Sequence, residues 1–503
     1  MPLASPPRFA PALALFGTAS DVGKSVLAAA FCRLLNDNGR SVAPFKAQNM
    51  SNNSYVAADG GEIGRAQYVQ AVAARVEPSV HHNPVLLKPS ADDSSQVILH
   101  GQALRETRAR DYFRNNQSLR EAAFSSLRRL AATHDVVVLE GAGSCAEVNL
   151  RSHDFVNFAA AHEAKARVIL VADIDKGGVF AQVVGSLEVM PPEDRARVSG
   201  VIINKFRGDR QLFDDGIEYL KARTGLPVLG LVPFLYGLEL DSEDAVPLSR
   251  PLDPLPGTDA DQLRLAVLRL PHISNFTDFD PLARTPGVAV HYLYRPRDLG
   301  EYSAVILPGT KSVARDLKWM QDIGLASAVL DFHARGGKLV GICGGLQLLG
   351  KHICDPDGLE SSIGSVSGLG LLDATTYLRA PKIVRRVTGR LIQDNAPVSG
   401  YEIHLGRTEY DKNRPLLSLA LDGEAVPEGL RDDDQRLWGT YVHGIFDQPL
   451  AKEAFLQWVD PSFRWPDAQP SHTEWLDQQL DLFAAHVKEH VDWSTVMGWV
   501  GGS

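Results

Sequence analysis

Short apolar runs rich in β-branched residues alternate with stretches of helical spacing through the first half of the chain. That is the pattern of a parallel sheet whose strands are buried on both faces. It predicts strands at Leu13–Phe16, Ser41–Pro44, Val136–Leu139, Val168–Val171, Val201–Ile203 and Val228–Leu231, with an apolar helix from Val26 to Leu35 behind the first. A stretch rich in Pro, Asp and Gly, residues 241–262, interrupts the alternation and reads as a linker. The pattern then resumes, with strands expected at Leu265–Leu270, Ala304–Leu307, Lys338–Ile342 and Gly439–Val442. After residue 450 an amphipathic helix places Leu476, Leu480, Phe483, Val487 and Val491 on one face. His486 and His490 in that helix have the spacing of a metal pair, but no third ligand is in view and they read as part of a solvated face. The expected class is α/β, partitioned as domain 1–240, linker 241–262, domain 263–450 and helical tail 451–503.

Composition narrows the function classes. A length of 503 residues suits about three domains, or two large α/β domains, and a hydrophobic content of 44% suffices for sizeable cores. The formal net charge is −10, and no basic tract interleaved with aromatics occurs, so no nucleic-acid partner is expected. The four cysteines, Cys32, Cys145, Cys343 and Cys354, are too few and too irregularly spaced for a disulfide framework or a zinc site, which points to a reducing cytoplasm. No export signal is read at the N-terminus, and no apolar run reaches the ~20 residues that span a membrane.

Two stretches carry chemistry. The first predicted strand runs into Gly17-Thr18-Ala19-Ser20-Asp21-Val22-Gly23-Lys24-Ser25 and then into the apolar helix. This is a phosphate-binding loop: backbone N–H groups and the helix N-terminus face phosphate oxygens, Lys24 neutralises the terminal phosphates, and the Ser25 hydroxyl suits magnesium. Five residues, where the standard motif has four, separate Gly17 from Gly23, a variant that resembles dethiobiotin synthetase and its relatives, which phosphorylate carboxylates or carbamates. Glu140 ends a buried strand at the edge that faces the ligand in doubly wound sheets, and is a candidate magnesium ligand or water-orienting carboxylate. Asp173-Ile174-Asp175-Lys176-Gly177-Gly178 follows another strand and suits metal, phosphate or an acidic substrate, with the division of roles left open. Asn204 ends a third strand, placed either to read a purine edge or to cap the next turn.

The second stretch is Gly341-Ile342-Cys343-Gly344-Gly345, between a strand and the helix-like run Leu346–Leu349. It is a nucleophile elbow with cysteine in the serine position, small residues standing two places to either side because the turn crowds them together. The positive end of the following helix favours the thiolate. His443 closes an apolar strand and is the candidate proton acceptor. The N–H groups of Gly309 and Gly344 are candidates for holding a developing oxyanion.

Longer segments accompany these motifs: Phe45–Ser54 (FKAQNMSNNS), Glu62–Gln67, Asn83–Pro89, Asn204–Asp209 and Gly400–Gly406 (GYEIHLG). With them the whole chain resembles the cobyric acid synthase family, glutamine-dependent amide ligases of cobalamin biosynthesis. The resemblance implies an N-terminal dethiobiotin-synthetase-like domain using ATP and Mg2+, and a C-terminal class I glutamine amidotransferase domain with Cys343 as nucleophile and His443 as catalytic histidine. It further implies L-glutamine as ammonia donor, a sheltered ammonia route, and adenosylcobyrinic acid a,c-diamide as the corrinoid amidated at its b, d, e and g carboxylates. Ordinary class I amidotransferases carry a glutamate two residues after the histidine, where this chain has Ile445, so the third member of the site is absent or supplied elsewhere. Two rivals are weighed. A partitioning-type ATPase switch carries an extra lysine early in its phosphate loop, which Gly17-Thr18 lacks, and has no use for an amidotransferase domain. Cobyrinic acid a,c-diamide synthase shares both chemistries, and the Phe45–Ser54 segment speaks against it.

Overall fold

The computed structural model describes residues 10–91, 94–108, 111–112, 116–241, 262–360, 364–410, 414–432, 434–466 and 469–501; the expected linker falls almost wholly outside them. The chain forms two compact units. One comprises Met1–Met50, Ala57–Asp241 and Leu476–Ser503, the other Ser51–Val56 and Ser242–Trp475. Two short pieces are thus exchanged relative to chain order: Ser51–Val56 packs with the second unit and the end of the chain with the first.

The first unit is built on six parallel strands in the spatial order Val228–Pro233, Val198–Phe206, Arg167–Asp173, Ala12–Gly17, Val136–Glu140, Val42–Phe45. Every side chain of Ala12–Gly17 and Val136–Glu140 is buried, which is why these strands appear as unbroken apolar runs. Chain order reverses at Ala12–Gly17, and the phosphate loop leaves its carboxyl end, where doubly wound sheets bind ligands. The helix after the loop spans Lys24–Asp37. The helix His472–His490 lays Leu476, Leu480, Phe483 and Val487 into this unit, and Val491 follows just beyond its end, each at most 6% exposed and each contributing about 1.5–3 kcal/mol. Its Asp477 and Asp481 pair with Arg33, which is fully buried. A Cβ on Gly230 would lie 2.7 Å from His490 O, so only glycine lets the two backbones meet at the bridge between Gly230 and Val491. His486 and His490 are half-buried and not a solvated pair: His486 Nε2 meets Pro233 O at 2.9 Å and His490 Nδ1 meets His486 O at 2.8 Å.

The second unit has its own sheet, Val288–Leu293, Leu263–Leu268, Ala304–Leu307, Lys338–Ile342 and Leu437–Thr440 in parallel, with Leu430–Arg431 antiparallel at the edge. A separate mixed sheet contains the long hairpin of Ala374–Leu391 and Pro397–Tyr410. Apolar periodicity does not announce that hairpin. Much of its first strand faces solvent, and Lys382, Arg385, Arg386 and Arg390 stand where a buried strand would carry apolar residues. Among the described residues, no helix is long and apolar enough to cross a membrane.

Candidate active sites

In the first unit the phosphate loop is shaped by close approach. Gly23 has φ +94°, and a Cβ there would sit 2.3 Å from Asn204 Nδ2; one on Gly17 would sit 2.7 Å from Lys24 Nζ. Glycine is required at both. Lys24 is 7% exposed and curls over the loop, donating to Ala19 O at 3.0 Å and Gly143 O at 2.8 Å. The Thr18 N–H is tied to Val171 O at 3.0 Å and its hydroxyl donates to Gln182 at 3.1 Å. Asn204 donates to Val22 O at 2.9 Å, so its amide braces the loop from the neighbouring strand.

Glu140 is the hub of this unit's site. Its Oε1 accepts from the Ser25 hydroxyl at 2.7 Å and from Lys46 Nζ at 2.9 Å, while Oε2 accepts from Gln70 at 2.6 Å and, at 3.4 Å, Gln67. Burial alone would raise this carboxyl, but Lys46, Ser25 and Gln70 together hold it below the usual carboxylate range. An ionised carboxylate touching the loop hydroxyl is an all-oxygen donor pair of the kind magnesium takes, so the residues fit that ion. Lys46, Gln67 and Gln70 carry no motif signal by themselves; the first two belong to the long segments Phe45–Ser54 and Glu62–Gln67. Of the other strand-end acids, Asp173 is buried against Lys205 at 2.9 Å, and Asp175 pairs with Arg207 at 2.7 Å.

In the second unit Cys343 sits between the strand Lys338–Ile342 and the helix Gly344–Leu349 with φ 53° and ψ −108°. A non-glycine residue in that region is strained, as an elbow requires. A Cβ on Gly345 would lie 1.9 Å from Leu307 O, and one on Gly341 2.6 Å from the Leu346 N–H nitrogen, which explains both small residues. The Cys343 N–H donates to Thr440 O at 2.7 Å, and its sulfur lies 3.8 Å from Ile403 O. Of the two glycines expected to hold an oxyanion, one adjoins Cys343 in sequence and the other stands beside His443. Gly344 follows Cys343 directly, and a Cβ on Gly309 would come within 3.1 Å of His443 Cε1.

His443 is 1% exposed, and its Nδ1 meets Asp278 Oδ2 at 2.6 Å. Asp278 Oδ1 also accepts from the Gly444 N–H at 3.0 Å. Burial opposes charge on this imidazole, but the Asp278 carboxylate outweighs it and, with the bond to Cys343, raises His443 to about 10. The place of the missing glutamate is therefore filled by an aspartate 165 positions upstream, in the turn Phe276–Phe279. The only local sign is an acid enclosed by two phenylalanines, Phe276-Thr277-Asp278-Phe279. One helical turn after Cys343, Gln347 holds a buried Oε1 with no hydrogen-bond partner among the described residues. An unmet acceptor of this kind costs about 1–3 kcal/mol unless a ligand satisfies it.

Residues 13–248 match the CobQ/CobB/MinD/ParA nucleotide binding domain, and residues 264–451 match the CobB/CobQ-like glutamine amidotransferase domain. Cobyric acid synthase of Chlorobium phaeobacteroides (strain BS1) is 51% identical over 97% of this chain and 99% of its own. That of Pelodictyon phaeoclathratiforme is 50% identical over 96% of each, and that of Syntrophobacter fumaroxidans 45% identical over 97% and 98%. Near-complete coverage at this identity, on top of a phosphate loop and a cysteine elbow in one chain, leaves a single assignment: the chain belongs to the cobyric acid synthase family of glutamine-dependent amide ligases.

Proposed function

We propose that the chain converts adenosylcobyrinic acid a,c-diamide to adenosylcobyric acid in the cytoplasm, amidating the b, d, e and g carboxylates with one ATP and one L-glutamine for each. The single observation that supports ATP- and glutamine-dependent amidation is the presence in one chain of a phosphate loop with a buried, anionic Glu140 and an elbow cysteine beside a His443–Asp278 pair, and the corrinoid substrate is proposed from the name of the relatives. On this reading residues 1–240 are the amide synthetase, 263–450 the amidotransferase, and 451–503 a helical tail.

A carboxylate oxygen is a poor leaving group, so the γ-phosphoryl of ATP is transferred to it and ammonia displaces the resulting phosphate. Gly17, Thr18, Gly23 and Lys24 hold the phosphates, and Asn204 keeps the loop in place. Ser25 and Glu140 would hold magnesium, which neutralises charge on the phosphates. Lys46 keeps Glu140 ionised. In the second unit the Cys343 thiolate attacks the side-chain amide of glutamine, the N–H groups of Gly309 and Gly344 receive the oxyanion, and His443 gives its proton to the departing ammonia. Water then releases glutamate from the thioester. Gln347 Oε1 is the acceptor left for a donor group of the bound glutamine.

Mass spectrometry of the corrinoid product tests the assignment, because each carboxylate-to-amide conversion is counted directly. Four new amides on the a,c-diamide are expected. A product that stops at one despite ample ATP and glutamine would defeat it, and activity confined to the a and c carboxylates of cobyrinic acid would favour the earlier enzyme of the pathway.

Asp278 has its own test. Asp278→Asn keeps the shape and removes the charge, so glutamine hydrolysis should fall by about 10²–10⁴-fold. With the carboxylate gone, burial dominates and the His443 imidazolium loses its proton at lower pH. The alkaline limb of residual hydrolysis against pH should therefore move down from the region of 10. An unmoved limb would show that Asp278 does not set the charge of His443.

A further inference from the structure

Two of the segments that mark the family meet in the second unit, Ser51–Ser54 from the first of them and Gly400–Gly406, on residues that take no part in bond making. Ser51–Val56 packs there although its chain neighbours Met50 and Ala57 belong to the first unit. Asn53 and Ser54 are fully buried. The Ser54 N–H donates to Asn275 Oδ1 at 3.0 Å, and the Thr277 hydroxyl donates to Asn53 Oδ1 at 3.3 Å. Asn275 adopts φ 50° and opens the short turn Phe276–Phe279, which presents Asp278 to His443. Asparagine tolerates that left-handed conformation better than most residues, and the bond from Ser54 holds its side chain.

The same segment reaches His443 from a second direction. Ser54 O accepts from the Tyr401 hydroxyl at 3.1 Å, and the Tyr55 ring meets the Tyr401 ring edge-on at 4.8 Å. Tyr401 in turn stacks on the His443 imidazole, centroids 5.4 Å apart and planes 23° from parallel. The two residues also exchange backbone hydrogen bonds of 3.1 and 2.9 Å. Val56 O accepts from Arg386 at 3.0 Å, and its side chain clusters with Tyr401 and Ile403, the residue whose carbonyl lies beside the Cys343 sulfur. One buried strap thus fixes both the partner of Nδ1 and the surface on which the imidazole lies.

We infer that Asn53 and Ser54 are positioning residues for glutamine hydrolysis, holding Asp278 through Asn275 and Thr277 and holding the His443 ring through Tyr401. The inference rests on the assignment of glutamine hydrolysis to Cys343 and His443. Neither strap residue touches the reacting atoms. Their effect is on the fraction of time the imidazole points at the sulfur and the leaving group, which enters kcat, whereas glutamine binding is left alone.

Substitutions that remove the bonds with little change of volume test this in the full-length protein. Thr277→Val removes the hydroxyl that reaches Asn53, Tyr401→Phe removes the one that reaches Ser54, and Asn53→Ala removes the acceptor. Each should lower kcat for glutamine hydrolysis by about 10–100-fold while KM stays within about twofold. Thr277→Ser, which restores the donor, should recover most of the loss. Thermal unfolding of each variant identifies any that fail to fold, and Thr277→Val with Tyr401→Phe then decides the matter because both keep the core filled. Wild-type kcat in folded Thr277→Val and Tyr401→Phe would overturn the inference, as would a rise in KM with kcat intact. Persistence of hydrolysis in Cys343→Ala would instead overturn the underlying assignment, so the two failures are told apart.

Discussion

Lys24→Ala is expected to abolish corrinoid amidation with glutamine and with ammonium alike. Lys24 is buried over the phosphate loop, held by Ala19 O and Gly143 O where the terminal phosphates of ATP would lie. Phosphoryl transfer depends on charge stabilisation at that point, and loss of one cation from a water-poor site costs on the order of 10²–10³-fold or more. Alanine leaves the carboxylate unactivated, and a better supply of nitrogen cannot compensate. The measurement is amide formation under both nitrogen sources, with glutamine hydrolysis followed separately. Normal amidation by a folded mutant would remove the loop from the mechanism.

Cys343→Ala should produce the opposite split. In the proposed mechanism the elbow only liberates ammonia, so glutamine-supported synthesis should fall by on the order of 10⁴–10⁶-fold, while synthesis with high ammonium at mildly alkaline pH, where more of the nitrogen is unprotonated, should persist. His443→Ala should follow the same pattern, since in that mechanism its proton serves only the departing ammonia. Loss of both activities in a folded Cys343 mutant would show that the thiol does more than hydrolyse glutamine. Together with Lys24→Ala, the result assigns each half of the reaction to one unit.

The parts of this machinery that were legible in the sequence are those in which neighbouring residues must satisfy one tight backbone geometry. The phosphate loop needs Gly23 because its backbone turns left-handed against Asn204, and the elbow needs Gly341 and Gly345 because Cys343 sits in a strained turn over Leu307. Such demands leave their mark within a few positions of the functional side chain. The central strands were legible for a related reason: burial on both faces forces an unbroken apolar run. The hairpin Ala374–Leu391 with Pro397–Tyr410 was not, because wetting of one face removes that run.

Contacts between distant positions depend on tertiary structure. The pairing of Asp278 with His443 spans 165 positions, and that of Lys46 with Glu140 spans 94. A single hydrogen bond between remote residues imposes no periodicity and no turn chemistry on either segment, so beyond the two phenylalanines around it nothing near Asp278 announces this contact. The family segments Phe45–Ser54 and Gly400–Gly406 were visible as words without a physical meaning. Folding supplied it by bringing Lys46 to Glu140 in one unit and Ser54, through Tyr401, to His443 in the other. The sequence by itself therefore determined the candidates for the proposed chemistry at the phosphate loop and the elbow, because their local backbones are constrained. Only the tertiary structure decided what charges and orients them, because those partners converge through burial and not through spacing.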